Sequence, residues 1–283
     1  IPVNKAVSYG NQIDLKIEDY LMYLADDDKI EVIAAYIEDI KAGNLFFEVL
    51  KSVCAKKQVI IMKGGTTPIG SRAAQSHTGA LFQSSEVFSA VMMQSGCTVA
   101  RTFEEMMDLV MTTTSIQKPI GTRAAYVGGG GGISVIAADI CSEIGLTMPP
   151  MELDTVQKIR DMTADVNTSF SNPVDLGAFG YHHETMLDII EIMNGDNNLD
   201  LLIPQFIIGL FPSEPDFDTE SAIKRLKKLK KPLFPIITTF SEHNPTHEAA
   251  KSSMFRLFRD ANIPVFNSIH EVGIVLKHLF RDD

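Results

Sequence analysis

Residues 124–145 of the chain, AAYVGGGGGISVIAADICSEIG, decide which class of fold this sequence adopts. The apolar run 124–127 predicts a buried strand, the glycines 128–132 predict a tight turn, and 134–145 has the pattern of a helix. A strand that passes through a short turn into a helix is the repeating unit of parallel sheets covered by helices. This stretch therefore predicts an α/β fold.

Short apolar runs that alternate with amphipathic stretches extend this pattern along the whole chain. The predicted strands are 5–8, 31–37, 59–63, 124–127, 201–208, 233–238 and 264–266. The predicted helices are 44–55, 86–96, 103–113, 134–145, 155–163, 221–229 and 247–261, with Gly96 and Gly145 as C-caps. Strand-like sequence restarts directly after 114–122, a stretch with proline and glycine that predicts a linker between two three-layer α/β units.

The composition excludes several classes of function. The net charge of −11 argues against unspecific binding to nucleic acid or to an anionic membrane, because either surface attracts a basic protein face. No apolar run reaches the roughly 18 uncharged residues that span a bilayer, which predicts a soluble protein. Cys54, Cys97 and Cys141 are scattered and lack a CxxC spacing, so they predict neither a disulfide framework nor a zinc site. A reducing cytoplasm fits this cysteine usage best.

The glycine run is the first candidate binding site. Backbone N–H groups at the start of a helix lack intrahelical acceptors and lie at the positive end of the helix dipole, where they bind phosphate. The candidate phosphate-binding residues are Gly129, Gly130, Gly131, Gly132 and Ser134. Five glycines satisfy GxGxxG trivially, and no acidic residue follows at the expected distance, so a dinucleotide site is disfavoured. A tight turn without a ligand explains the motif equally well.

A histidine among small polar residues is the second candidate. Ser76, His77, Thr78 and Gly79 lie outside any apolar period, which predicts an exposed loop rather than a core position. A neutral imidazole is nucleophilic near physiological pH and can carry a phosphoryl group, provided that an acceptor fixes its other ring nitrogen. Glu38, which follows the apolar run 32–37, is the candidate acceptor. An ordinary loop histidine and a solvated carboxylate remain the alternative.

Other polar clusters have structural interpretations. His243 and His247 are four residues apart, but Pro245 lies between them and no third ligand is evident, so we expect the start of a helix and no metal site. The stretch His182-His183-Glu184 resembles a polar turn. The basic cluster within 224–231 predicts a solvated helix face, with an anion-binding patch as the alternative.

Residues 58–81, with their Lys-x-Gly, Ala-Ala and Ser-His-Thr-Gly-Ala-Leu elements, resemble the NDP-forming acyl-CoA synthetases and, more distantly, the α subunit of succinyl-CoA synthetase. The resemblance continues through Tyr36-Ile37-Glu38, through the glycine run, and through 171–176, which looks like the family's Asn-Pro-Val-Asp segment. It covers nearly the whole chain, and the histidine motif is its specific part. The glycine run is looser than the family's usual pattern.

This resemblance implies two flavodoxin-like three-layer domains with mainly parallel sheets, 1–118 and 119–283. It implies a relay that converts acyl-CoA, phosphate and NDP into carboxylate, CoA and NTP through an acyl phosphate and a phosphohistidine. In that relay His77 accepts the phosphoryl group, Glu38 orients the ring, and the helix after the glycine run stabilises the phosphate charge. CoA and Mg-nucleotide enter as substrates, so no tightly bound cofactor is expected.

The chain also departs from the family's complete enzyme, which has a CoA-binding Rossmann domain and an ATP-grasp domain that are not visible here. The family's first ligase domain opens with a strand and a second phosphate-facing helix, and this chain begins after them, at Ile1. We therefore expect a fragment, or part of a larger polypeptide or complex, whose first domain is incomplete at its N-terminus and which does not turn over alone.

Two other classes of function stay open. One is a noncatalytic regulatory module that responds to CoA or nucleotide, which the presence of both His77 and Glu38 argues against. The other is an interaction scaffold in which the glycine run is only a turn.

Overall fold

The computed structural model describes residues 3–67, 69, 70, 72, 85–116, 121–163, 166–209, 218–241 and 243–280. The chain divides into two compact units, Ile1–Thr114 and Ser115–Arg281. One unit contains a three-stranded parallel sheet and the other a four-stranded parallel sheet. The predicted α/β class is confirmed. No helix in these described ranges is long and apolar enough to cross a membrane.

The first unit alternates helices and strands. Its elements are α1 (Ile17–Ala25), β1 (Val32–Ile37), α2 (Gly43–Cys54), β2 (Gln58–Lys63), α3 (Ser85–Ser95), β3 (Thr98–Ala100) and α4 (Phe103–Ser115). The strands pair in the order β1-β2-β3, with Ile33 opposite Val59 and Ile61 opposite Val99. Alternate strand residues such as Ile33 and Ile61 join the apolar faces of α1, α2 and α3 in one core.

The second unit has a larger sheet in the order β5-β4-β6-β7. Its elements are β4 (Ala124–Gly128), α5 (Gly131–Glu143), α6 (Leu153–Met162), β5 (Val174–Asp175), a 3₁₀ helix (Gly177–Tyr181), α7 (His183–Asn194), β6 (Leu201–Ile208), α8 (Thr219–Leu226), β7 (Ile236–Thr239), α9 (Pro245–Asp260) and α10 (Ile269–Leu279). Every residue of β4 and β6 is buried, as expected for central strands of a parallel sheet with both faces covered.

Several predicted helix ends are confirmed. Gly96 and Gly145 follow α3 and α5 with φ angles of 73° and 86°, the left-handed conformation that glycine adopts without steric cost. The side chain of Asn244 accepts hydrogen bonds from the N–H groups of Thr246 and His247 at the start of α9. The predicted helix start near His247 is therefore correct.

Three predicted strands need correction, and two strands were not predicted. Residues 5–8 form no strand, because nothing in the described part of the chain pairs with them. The predicted strand 264–266 reduces to a single bridge between Phe266 and Ile236, and 233–238 shortens at its start to β7. The strands β3 and β5 were not predicted, since three and two residues are too short to show an apolar period.

Helix prediction failed at two places and shifted at a third. The prediction missed α1, whose apolar stripe is interrupted by Glu18 on the buried face. The expected polar turn at His182-His183-Glu184 is wrong, because α7 begins at His183. The helix after the glycine run begins at Gly131 rather than at Ser134, so Gly131 and Gly132 belong to its first turn.

Candidate functional site

The predicted site residues fall into three groups. Glu38 follows β1 in the first unit, and the glycine run follows β4 in the second. Ser76, His77, Thr78 and Gly79 lie outside the described residues. The contact between His77 and Glu38 therefore stays a prediction.

The Glu38 carboxylate lies directly beyond the last residue of β1, at the carboxyl edge of the sheet. Its Oε1 accepts a hydrogen bond of 3.1 Å from the hydroxyl of Tyr36, which lies two residues earlier, on β1. Burial and this hydrogen bond raise the pKa of Tyr36, so the hydroxyl keeps its proton and remains a donor. No hydrogen bond to Glu38 Oε2 is made within the described ranges, which leaves this oxygen available to an N–H donor.

The ends of β1 and β2 are joined by Lys63. Its Nζ donates to the carbonyl of Glu38 at 3.3 Å and to the carbonyl of Gly64 at 3.1 Å. Burial lowers the pKa of Lys63, while the charges of Asp39 and Glu38 oppose that shift. A Cβ at Gly64 would overlap the Tyr36 hydroxyl, so glycine permits the close approach of the two strand ends. Sequence reasoning missed Tyr36 and Lys63 as supporting residues, although both belong to the quoted motifs.

The loop after β1 is fixed from the other side by Gln12. Its side-chain amide donates to the carbonyl of Asp39 at 3.0 Å and accepts from the N–H of Ile17 at 3.2 Å. Gln12 is buried and has a φ of 57°. This side chain thus connects the start of α1 to the residue that follows Glu38.

The glycine turn of the second unit has the geometry of a helix N-terminus. Gly130 is the N-cap of α5, with a φ of 116° that favours glycine, and Gly131 and Gly132 form the first helical positions. Both lie exposed, and their N–H groups donate to no acceptor in the described part of the chain. These two N–H groups could contact an anion.

The carboxylate of Asp175 occupies part of this turn. Its Oδ1 accepts from the N–H of Gly130 at 2.8 Å and from the N–H of Gly177 at 2.9 Å. The sequence pattern placed Asp175 in the Asn-Pro-Val-Asp segment without assigning it to the glycine turn. Since β5 pairs with β4, the topology brings the two motifs together, and the turn already holds one negative charge.

Two of the predicted phosphate-binding residues, Gly129 and Ser134, are buried and pack against neighbouring groups. Gly129 is buried, and a Cβ there would lie 2.8 Å from the carbonyl of Gly177. Ser134 is 4% exposed, and its hydroxyl lies 3.4 Å from the carbonyl of Gly130. The exposed part of the predicted anion site therefore consists of Gly131 and Gly132.

Asn172 has a structural role. Its amide donates to the carbonyls of Ala124 and Pro149 at 2.8 and 3.1 Å, and its Oδ1 accepts from the N–H of Tyr126. The peptide bond between Asn172 and Pro173 is cis. These bonds hold the segment against β4 and so position Asp175 at the turn.

The basic cluster of the second unit is partly neutralised within the fold. Arg225 of α8 forms ion pairs with Glu184, Asp188 and Glu191 of α7. Lys231 donates to the carbonyl of Asn194 at 2.7 Å. Because these partners already engage Arg225 and Lys231, they favour the prediction of a solvated helix face over that of an anion-binding patch. No group of three or more His, Cys, Asp or Glu side chains in the described ranges could hold a metal ion.

Comparison with known proteins identifies the family. Residues 1–113 match the family described as the succinyl-CoA ligase like flavodoxin domain. The α subunit of the ADP-forming acetate–CoA ligase II of Pyrococcus furiosus is 36% identical over 230 residues, which cover 81% of this chain and 50% of that protein. The chain belongs to the ADP-forming acetate–CoA ligase family, which is related to succinyl-CoA ligase.

A second relative and a solved structure show how much of the length is shared. The ADP-forming acetate–CoA ligase II of Archaeoglobus fulgidus is 30% identical over 99% of this chain and 41% of that protein. A structure of an acetyl-coenzyme A synthetase 1 of Ca. Korarchaeum cryptofilum, in complex with phosphate and ADP, superposes with a TM-score of 0.80 at 23% identity, over 97% of this chain and 58% of that one. The chain thus spans about half or less of the length of its curated relatives.

Proposed function

We propose that this chain is the phosphohistidine core of an ADP-forming acyl-CoA synthetase, in which His77 carries the phosphoryl group and Glu38 orients its ring. The observation that carries the proposal is the Glu38 carboxylate at the end of β1, with one oxygen bonded to Tyr36 and the other open. The segment that contains His77 leaves the adjacent strand β2 through Lys63 and Gly64. The proposal requires that this segment bring His77 back to the sheet edge at which Glu38 lies.

The proposed chemistry has three balanced steps. Phosphate displaces CoA from the acyl-CoA to give an acyl phosphate. A ring nitrogen of His77 then attacks the phosphorus, the carboxylate leaves, and phosphohistidine forms. ADP finally takes the phosphoryl group, which yields ATP and free His77.

Glu38 serves the second step through the free oxygen of its carboxylate. An N–H···O bond to one ring nitrogen of His77 would leave the other nitrogen unprotonated and nucleophilic, and would stabilise the positive charge that the ring acquires on attack. Tyr36 and Lys63 act as positioning residues, because they hold the carboxylate and the carbonyl of Glu38.

The exposed N–H groups of Gly131 and Gly132 are the proposed contact for phosphate. The helix dipole and two unpaired donors favour an anion there, whereas the carboxylate of Asp175 opposes a second negative charge. A protonated phosphate oxygen that donates to Asp175 would remove this repulsion. Binding of phosphate at this turn should therefore weaken as the pH rises through the second pKa of the phosphate group, which is about 6 for a phosphoester.

Further domains must supply CoA and nucleotide. We propose that a CoA-binding Rossmann domain and an ATP-grasp domain, in the same polypeptide or in partner subunits, complete the enzyme. The α-subunit relative supports this assembly, since a subunit acts together with others. One of these additional segments would also cover the open edge of β1 in the first unit.

The test uses the protein together with its ATP-grasp and CoA-binding partners, Mg²⁺, and ATP labelled at the γ-phosphate. We expect an acid-labile, base-stable label on the wild-type chain and none on His77→Ala. His278→Ala, at the end of α10, is the matched control and should keep the label. Bound nucleotide without any label would favour a regulatory module instead.

A further inference from the structure

The backbone that leaves β1 is held at three successive carbonyl groups. The carbonyl of Ile37 accepts a hydrogen bond from the N–H of Gly64 at 2.9 Å, and that of Glu38 accepts from Lys63 Nζ at 3.3 Å. The carbonyl of Asp39 accepts from a side-chain amide at 3.0 Å. Lys63 and Gly64 lie at the end of β2, whereas the amide belongs to a residue that precedes α1. Turning either peptide group that flanks Asp39 would break one of these bonds.

Gln12 supplies this amide and is itself anchored at the start of α1. Its Oε1 accepts a hydrogen bond from the N–H of Ile17, the first residue of that helix, at 3.2 Å. The first N–H groups of a helix have no acceptor within the helix, so this bond satisfies one of them. Gln12 is only 8% exposed, which limits competition from water. The amide therefore transmits the position of α1 to the loop that contains Glu38.

The backbone of Gln12 has a conformation that glycine favours. Its φ is 57°, in the left-handed region that a Cβ makes costly. Two residues earlier the chain adopts nearly the same φ, 54°, and the residue there is Gly10. The side chain of Gln12 is thus placed against the backbone preference, as happens at sites where function constrains the chain.

The second unit shows that such support at a strand end is not a general requirement of the fold. At the end of β6 the carbonyl of Ile208 accepts from the N–H of Phe240 at 2.8 Å, which matches the first of the three bonds after β1. The next carbonyl, that of Gly209, accepts no hydrogen bond from the described part of the chain. The additional side-chain bonds occur at the strand end that carries Glu38.

We propose that Gln12 is a positioning residue for Glu38 in the phosphoryl transfer. Its bond to Asp39 fixes the peptide groups that follow Glu38, and Tyr36 fixes one oxygen of the carboxylate. The second oxygen then keeps the place at which the ring of His77 would bind. This inference rests on the proposed function.

The test measures phosphohistidine formation by rapid quench in the assembled enzyme, with ATP labelled at the γ-phosphate. We expect Gln12→Ala to slow labelling at saturating ATP by about 10-fold or more, because a small displacement of a catalytic group is costly. The ATP concentration that gives half the maximal rate should not change, since Gln12 contacts the Glu38 loop and not the nucleotide. Gln157→Ala, at an exposed glutamine of α6, is the control and should label at the wild-type rate. An unchanged rate in Gln12→Ala would overturn the proposal.

Two further substitutions separate the two bonds of the amide. Gln12→Glu keeps the acceptor for the N–H of Ile17 but cannot donate to Asp39. Gln12→Lys can donate to Asp39, as Lys63 does to the preceding carbonyl, but offers no acceptor to Ile17. We expect slow labelling in Gln12→Glu and nearly the wild-type rate in Gln12→Lys, with urea unfolding to verify that both variants fold. The opposite order would show that only the bond to α1 matters, and would overturn the proposal.

A double substitution tests whether Gln12 acts through Glu38. Gln12→Ala combined with Glu38→Gln should label no more slowly than Glu38→Gln alone, because both changes remove the same orienting group. Additional slowing would mean that Gln12 acts through another group, against the proposal. Wild-type labelling in Glu38→Gln would contradict the proposed function and this inference together. Slow labelling in Glu38→Gln beside an unaffected Gln12→Ala would contradict this inference alone.

Discussion

The strands β1 and β6 hold equivalent places in their units but are covered very differently. Each follows a helix, α1 or α7, and pairs on one side with the next strand of its unit. All eight residues of β6 are buried, and its other edge pairs with β4. Burial alternates along β1, where Tyr36 is 42% exposed, and the outer edge pairs with nothing in the described ranges. A parallel strand is normally covered on both faces, so the described part of the first unit offers β1 less cover than the second unit offers β6.

A second pair of segments supports the same conclusion. The stretch Asn11-Gln12-Ile13-Asp14 has the spacing of Asn172-Pro173-Val174-Asp175, with an asparagine, an apolar residue and an aspartate at matching places. Val174 is fully buried and pairs with β4, whereas Ile13 is 95% exposed. We therefore propose that a strand, a turn and a helix like β4 and α5 cover β1 in the assembled enzyme.

The largest expected effect is a loss of unfolding free energy when a lysine is placed on β6, compared with a lysine placed on β1. Ile203→Lys would bury an unpaired charge and should cost about 4 kcal/mol of unfolding free energy or more. Ala34→Lys, the matched position on β1, should change it by less than about 0.5 kcal/mol, because Ala34 is exposed. Urea unfolding measures both. A loss at Ala34 as large as that at Ile203 would show that β1 is already covered.

The next contrast uses two glycines that each lie against a tyrosine hydroxyl. A Cβ at Gly128 would lie 2.6 Å from the hydroxyl of Tyr126, which is fully buried and hydrogen-bonded to Gln205. Gly128→Ala should therefore cost about 2–3 kcal/mol, as overpacking does. Gly64→Ala creates a similar overlap with Tyr36, but this exposed ring can move, so the cost should stay below about 1 kcal/mol. Thermal or urea unfolding measures both variants, and equal losses of unfolding free energy for Gly128→Ala and Gly64→Ala would contradict the comparison.

The smallest expected effect is a gain in stability at α1. Glu18 is 1% exposed, and neither carboxylate oxygen has a hydrogen-bond partner in the described part of the chain. Leu187, which precedes β6 by as many residues as Glu18 precedes β1, packs in the apolar core. Glu18→Leu should raise the unfolding free energy by about 1–2 kcal/mol, and Glu18→Gln by less, since its amide stays unpaired. A fall in stability with leucine would show that the carboxylate has a stabilising partner.

The sequence predicted the elements whose burial is complete or strictly periodic. The run 201–208, apolar except for Gln205, predicted β6, and α2 was predicted to within one residue at each end. Prediction from the sequence failed where tertiary contacts define the element. The helix α1 has a glutamate on its buried face, and β5 exists only because two residues pair with β4.

The same limit applies to the candidate site. Glu38 and the glycines were proposed as site residues because each follows a strand, and the carboxyl edge of a parallel sheet is where functional groups collect. Asp175 was not assigned to the glycine turn, because 43 residues separate it from Gly132 and only strand pairing joins them. Tyr36 and Lys63 were missed because their roles depend on hydrogen bonds to Glu38.

The central claim is that Glu38 orients His77 for phosphoryl transfer, and rapid-quench labelling of the assembled enzyme tests it most directly. The rate of phosphohistidine formation would be compared in wild type, Glu38→Gln and Glu31→Gln, the last an exposed glutamate next to the other end of β1. We expect Glu38→Gln to slow labelling by roughly 100-fold or more, and Glu31→Gln to leave it unchanged. Labelling of Glu38→Gln at the wild-type rate would contradict the claim.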